Sequence, residues 1–285
     1  MIHSGICHGT LGELFQGPYI QNDKLHIGVI SLPIKKYSSM HFELGINGDI
    51  GTDLPEKEKC QRAVDIYLAR HQLNLPQGRW SHDSELIQGK GMASSTADMV
   101  ATIRCLDSLF AISSSAETIS SILREVERSD SVFLDHYALY LSDQQQVING
   151  FGNEPVFHAC YIDEGDIVDT EQAGKPLLAY YAREWPAYAR NLDHMIQAFL
   201  QQDLPAIARC ATTSALLSQG VIPKRHLDTL LDMQAHFRAD GIVVAHTGSL
   251  LGYLFIRRPG CREMGELAAF FRSLGYQCRF AQTGF

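Results

Sequence analysis

The apolar positions of this 285-residue chain change period several times, and each change marks an element. Leu25, Ile27 and Val29, then Met40, Phe42, Leu44 and Ile46, alternate with polar or small residues. That period of two predicts two strands of a half-buried antiparallel sheet, split at Pro33. Cys60, Ala63, Val64, Tyr67 and Leu68 follow the i, i+3, i+4, i+7, i+8 rule of an amphipathic helix. Residues 83–88 read as a short strand. Val100, Ile103, Leu106, Leu109 and Phe110 then form the stripe of a buried helix starting near Ser94. Ser114-Ser115-Ala116-Glu117 reads as a capping box for a next helix, with Ile119, Ile122, Leu123 and Val126 inward and an end near Arg128.

The second half begins with two stretches read as strands, 156–162 and 177–181, separated by the acidic, glycine-bearing segment 163–174. Helical periods follow at 186–202, 204–218 and 225–239, then strand 242–246, strand 253–258, helix 261–274 and strand 276–281. Counted from the 177–181 strand, the order is that of a ferredoxin-like split βαβ unit with extra helices. The expected class is therefore α+β in two domains, residues 1–168 and 169–285, with the boundary in the acidic segment.

Glycines interrupt this pattern at three places. Gly9, Gly12 and Gly17 punctuate the first 22 residues, which read as a strand, a tight turn and a second strand. Gly89-Lys90-Gly91-Met92-Ala93-Ser94-Ser95-Thr96-Ala97-Asp98 runs straight into the buried helix. Glycines let a backbone turn sharply and approach a ligand, while free N–H groups at a helix start attract anions. Lys90 adds a charge, and Ser94, Ser95 and Thr96 add hydroxyls suited to phosphate or hydrated Mg²⁺. A phosphate cradle and a simple Ser94 helix cap both fit these residues. A Walker-type loop does not, because Gly91 follows Lys90 where Ser or Thr is needed. Nor does a dinucleotide fingerprint, which needs a βαβ unit with a ribose-binding acid downstream. The third place, Thr247-Gly248-Ser249-Leu250-Leu251-Gly252, reads as a hairpin turn between paired strands. Glu127 and Asp130, two acids beyond a helix end, read by themselves as a solvated face or a cap.

Composition narrows the classes. The chain is 45% apolar and 20% charged, as soluble globular proteins are. Its net charge of −8 argues against a nucleic-acid or anionic-membrane surface. Seven scattered cysteines without a C-x-x-C suggest neither a zinc site nor a disulfide framework. No signal-like start and no apolar run of spanning length occur, which makes a cytoplasmic location the expectation.

The loop at 89–98 resembles the glycine-serine loop of the GHMP kinases, and among them most closely the branch of L-threonine kinases, whose loop reads much like Gly-Lys-Gly-Met-Ala-Ser-Ser-Thr-Ala-Asp. The segment Cys7–Gly17 is similar to that branch's first motif, although the lysine found there in mevalonate kinases is missing. Glu127-Arg128-Ser129-Asp130-Ser131 resembles its Glu-x-x-Asp-Ser/Gly element, with Arg128 and Ser129 in place of the usual proline and threonine. The turn at 247–252 is similar to a thinned third motif.

The resemblance implies the two-domain GHMP fold, a ribosomal S5 domain 2-like N-terminal domain followed by the ferredoxin-like one. It implies ATP and Mg²⁺, with Gly89, Lys90, Gly91, Met92, Ala93, Ser94, Ser95 and Thr96 around the phosphates, and Ser95 and Glu127 near the metal. Glu13, Gln16, Gly17, Ser131, Thr247 and Gly248 fall near the acceptor, and Asp130 faces the acceptor hydroxyl as catalytic residue. The implied reaction phosphorylates a small hydroxylated amino acid, L-threonine first, with homoserine, serine or another hydroxylated metabolite, or an inactive nucleotide-binding regulator, as rivals. A homodimer is compatible with all of these.

Overall fold

A computed structural model describes residues 1–45, 54, 57–152, 155–165 and 174–285. Ile46, the acidic segment beyond residue 165 and the expected domain boundary at 168–169 lie outside the described residues. The chain divides into two compact units, each assembled from separated segments. The first holds Met1–Gly9, Lys36–Gln88 and Ala93–Leu134, and the second Thr10–Lys35, Gly89–Met92 and Asp135–Phe285.

In the first unit, the end of strand β2 (Lys24–Leu44) pairs antiparallel with β3 (Gly78–Ser84), from Ser38 opposite Ser84 to Leu44 opposite Gly78. Beside this ladder stand helices α1 (Glu58–His71), α2 (Ser94–Phe110) and α3 (Ala116–Val126). Of the 17 residues of α2, 11 are buried, including Asp98 and Thr102, so this helix is the interior of the unit rather than its cover. The N-cap of α3 is Ser115, whose Oγ accepts the N–H of Thr118. The expected box from Ser114 to Glu117 is thus displaced by one residue: Ser114 is instead spent on Asp107 Oδ1, 2.7 Å away.

The second unit contains a sheet in the order β5-β4-β2-β1-β7-β8-β6-β9. Strand β1 (Ile2–Gln21) enters it beyond residue 9, and β2 up to residue 35. The other strands are β4 (Ala138–Leu141), β5 (Gln146–Gly150), β6 (His158–Asp163), β7 (Gly241–Val244), β8 (Leu250–Phe255) and β9 (Arg279–Gln282). Helices α4 (Gly174–Leu200), α5 (Leu204–Ser218), α6 (Leu227–Phe237) and α7 (Cys261–Ser273) complete it. Numbered along the chain, β6, β7, β8 and β9 lie in the order 4-1-3-2, the antiparallel arrangement of a ferredoxin-like unit. Their shared core includes Ile162, Leu230, Ile242, Tyr253 and Phe271.

Several sequence expectations need correction. Residues 177–181 are helical, the first turns of α4, and the ferredoxin-like unit takes β6 as its first strand instead. The run misled because Leu177 and Tyr181 are buried four residues apart, a helical spacing that a five-residue window does not separate from a strand. The first 21 residues are one strand, not a hairpin. Gly12 kinks it at φ +61°, and the actual hairpin turn is Asn22-Asp23, both at positive φ as a type I′ turn requires. β2 likewise runs through Pro33, and the strand expected at 83–88 is the end of β3, which starts at Gly78. β4 and β5 carried no recognised signal.

Among the described residues no helix is long and apolar enough to cross a membrane. All seven cysteines are free. Because α2 is enclosed, Leu106→Ala should cost about 2–5 kcal/mol of stability through the cavity it leaves. Urea unfolding should show the lowered midpoint, and a loss below about 0.5 kcal/mol would mean that α2 is not the core of its unit.

Candidate active site

The second unit brings three separated glycine segments into backbone contact. The N–H of Thr10 donates to Met92 O and that of Gly12 to Gly91 O, both at 3.1 Å, so β1 grips the loop at 89–92. From the other side, Ser249 N–H donates to Lys90 O at 3.3 Å. Each glycine is required sterically. A Cβ on Gly12 would lie 2.2 Å from Val244 O, one on Gly91 2.3 Å from Ala245 Cβ, and one on Gly248 2.4 Å from Lys90 O. Gly91 also stands at φ +89°. By contrast, Gly89 at φ +71° would meet nothing within 4 Å, so this end of the loop faces open space.

The charges around the loop are held. Lys90 Nζ lies 3.4 Å from Asp163 Oδ2 and donates to Gly165 O at 3.2 Å. Burial would raise the Asp163 carboxyl, but the Ser249 hydroxyl, the Gly165 N–H and Lys90 hold it below its ordinary value. Lys224, 3% exposed, donates to Gly248 O at 2.6 Å and pins the third glycine turn from within.

Glu13 Oε2 accepts both the backbone N–H and the ring Nδ1–H of His246, at 2.8 and 3.0 Å. Gln16 donates from Nε2 to Tyr181 Oη, and its backbone N–H donates to Ser214 Oγ. Gly17 serves packing: a Cβ there would sit 2.4 Å from the Tyr188 ring. Thr247 is partly exposed beside Gly248.

In the first unit, the chain leaves the loop and enters α2 through Ala93, which occupies the left-handed region at φ +53°. Ala93 offers no side-chain cap, and Ser94 is the first helical residue, buried at 7%. The simple-cap reading of Ser94 therefore fails, and the leading N–H groups of a 17-residue helix have no side-chain cap. Ser95 Oγ donates to Glu127 Oε1 at 2.7 Å, and Lys59 donates to the other oxygen of Glu127. The two residues expected near a metal are thus adjacent. The N–H of Asp130 donates to Thr96 Oγ1 at 3.3 Å, fixing the loop after α3 to the first turn of α2. Asp130 itself is partly exposed, Arg128 is exposed, and Ser129 and Ser131 are buried.

Among the described residues no three His, Cys, Asp or Glu side chains gather as a metal cage. A hydroxyl beside one carboxylate is the donor set of Mg²⁺, which keeps its waters and takes further oxygens from a nucleotide. Ser95 and Glu127 fit that role.

Sequence reasoning missed the support behind this helix start. Asp98, 4% exposed, accepts Ser38 Oγ at 2.6 Å, Lys57 Nζ at 2.5 Å and His82 Nε2 at 2.9 Å. An acid on the fully buried face of α2, four residues after Ser94, was the available signal. Ser214, Lys224 and His246 gave less, since a lone polar residue in an apolar helix or strand end is ordinary.

Residues 58–142 match the family model described as the GHMP kinases N terminal domain. The fold matches the crystal structure of homoserine kinase from Cytophaga hutchinsonii with TM-score 0.71 at 13% identity, covering 99% of this chain and 94% of that one. The chain is thus similar to the GHMP kinases, and its fold is the two-domain α/β fold of their solved structures. Within them, it is similar to the L-threonine kinase of Citrobacter freundii, 24% identical over 264 residues that span 88% of this chain and 85% of the relative. The L-threonine kinase of Salmonella typhimurium is 26% identical over 278 residues, 92% and 86% of the two chains.

Burial pushes the Asp98 carboxyl up, yet the bonds from His82, Lys57 and Ser38 outweigh it and hold its pKa below the ordinary value. A depressed carboxylate contributes stability that is present above its unfolded pKa of about 3.9 and lost as pH falls through the folded value. Asp98→Asn should therefore cost about 3 kcal/mol near neutral pH. The gap to wild type should narrow below about pH 4. Thermal melts across pH 3–7 check this, and a gap that stays constant with pH would contradict it.

Proposed function

We propose that this chain transfers the γ-phosphoryl group of ATP, bound with Mg²⁺, to the hydroxyl of a small amino acid, L-threonine before others. The observation that carries the kinase reading is the Ser95–Glu127 pair on the uncapped first turn of α2, directly after the loop at 89–92. The match to the GHMP kinases N terminal domain supports ATP as the donor, and the two L-threonine kinase relatives support the acceptor. Phosphoryl transfer asks mainly for positioning and charge stabilisation. In this reading Gly89–Thr96 cradles the phosphates, and Ser95 and Glu127 hold Mg²⁺, which neutralises charge as the phosphoryl moves.

Lys90 exchanges Asp163 for a phosphate oxygen. Glu13, Gln16, Gly17, Ser131, Thr247 and Gly248 line the acceptor side, and Asp130 accepts or orients the proton of the attacking hydroxyl. With β6 as the first strand of the ferredoxin-like part, the boundary between the nucleotide-binding domain and the second domain falls ahead of His158 rather than at 168, and the enzyme works in the cytoplasm.

Isothermal titration and an ADP-release assay test this together. Ser95→Ala should weaken MgATP binding or turnover while the fold survives. Asp130→Asn, which keeps shape and removes charge, should lower kcat by ~10²–10⁴ and leave the KM for ATP nearly unchanged. L-Threonine should give a higher kcat/KM than homoserine or mevalonate. Protein indifferent to MgATP overturns the kinase reading. A better turnover of mevalonate overturns the amino-acid reading, and loss of ATP binding in Asp130→Asn moves Asp130 to the metal.

A further inference from the structure

A buried relay runs behind the first and third glycine segments. Glu13 on β1, His246 after β7 and Ser214 in α5 are brought together from 233 residues of sequence separation. His246 is 1% exposed and Ser214 0%. The directions of the bonds follow from the partners. In the neutral ring, Nδ1 of His246 donates to Glu13 Oε2, a carboxylate oxygen that only accepts, and Nε2 then accepts the Ser214 O–H across 2.9 Å. Ser214 Oγ in turn accepts the N–H of Gln16 at 3.2 Å. Every group from Gln16 to Glu13 Oε2 is thereby satisfied, and the imidazole is held in one tautomer.

The connectivity is that of a serine nucleophile with its base and acid, but the exposure runs the other way. Ser214 is closed inside α5 and already committed at both its proton and its lone pair, so no substrate carbonyl reaches it. The open end is Glu13. Its side chain keeps 10% exposure, and among the described residues its Oε1 accepts no hydrogen bond. That oxygen is the one solvent reaches rather than a buried one, and an alkylammonium group arriving there supplies three donors. Its place matters as well. Gly12, one residue before Glu13, bonds to Gly91 O, and Ala245, one residue before His246, touches Gly91.

We propose that His246 and Ser214 are positioning residues that hold Glu13 with Oε1 turned to the α-amino group of the acceptor. This rests on the amino-acid reading above. It assigns that reading's specificity to a hydrogen-bond chain ending in α5.

Titration of the protein in the presence of Mg²⁺ and a non-hydrolysable ATP analogue, with L-threonine and then with 3-hydroxybutanoate, its counterpart without the amino group, tests it without relying on turnover. Wild type should bind L-threonine at least tenfold more tightly. Ser214→Ala and His246→Asn, each of which cuts the relay at a different bond, should shrink that preference roughly tenfold by weakening L-threonine alone. Equal weakening of both ligands together with a lowered melting temperature would mean a merely structural relay. An unchanged preference in folded variants, labelling of Ser214 by a fluorophosphonate, or a wild type without preference for the amino group would each overturn the assignment, the last without needing any variant to fold. Binding with the predicted preference but no phosphoryl transfer would uphold this inference and overturn the kinase reading.

Discussion

Backbone contact at three glycines is the constraint on which the second unit depends. Gly12, Gly91 and Gly248 come from segments more than 70 residues apart, and each lies where a single added carbon would collide with main chain or Ala245. Interiors tolerate few voids and little overlap, so these contacts leave the loop at 89–92 essentially one path. The hydrogen bonds from Thr10, Gly12 and Ser249 then fix its carbonyls inward. With the carbonyls of Lys90, Gly91 and Met92 committed to the protein, the loop can turn N–H groups toward a ligand. Gly89, with open space at its Cβ position, marks where that ligand has room. Lys224 reinforces the same turn, a buried ammonium whose bond to Gly248 O ties it to the site rather than to the surface.

The first unit solves a different problem, how to present a helix start that no side chain caps. Ala93 in the left-handed region costs about 1 kcal/mol or more relative to an ordinary conformation. The surrounding bonds offset that cost. Asp98 draws three donors from β2, β3 and the residue before α1 onto one turn of α2, while Thr96 holds the backbone of Asp130. At the rim stand Ser95, which is exposed, and Glu127 and Asp130, which are partly exposed. Rigid support and exchangeable first contacts are what positioning catalysis requires.

Much of this was legible from sequence. The period of 3.6 from Cys60 and from Val100 gave α1 and α2, and the glycine-serine run gave the loop and the helix that follows it, while the choice between a Ser94 cap and an uncapped start stayed open until the structure. The adjacency of Ser95 and Glu127 followed only from resemblance, since 32 residues separate them and no local pattern links them. The tight turn expected among Gly9, Gly12 and Gly17 was wrong for a physical reason: a glycine between apolar residues signals a turn or a close approach equally well, and at Gly12 the backbone of Val244 decides which. The relay of Glu13, His246 and Ser214 was invisible, because each residue is unremarkable in its own element and only the packing of α5 against β7 joins them. Thr212, whose hydroxyl takes the N–H of Ile242, belongs to the same seam.

Gly248 shapes the loop at 89–92 by lacking a side chain, and Gly248→Ala measures that most directly. Gly248 is not among the residues at positive φ, so alanine brings no backbone strain of its own, only a carbon 2.4 Å from Lys90 O. Titration with MgATP should show affinity reduced at least tenfold, with the melting temperature lowered by only a few degrees. Unchanged affinity in the folded variant would contradict the account, because the loop would then owe nothing to the contact.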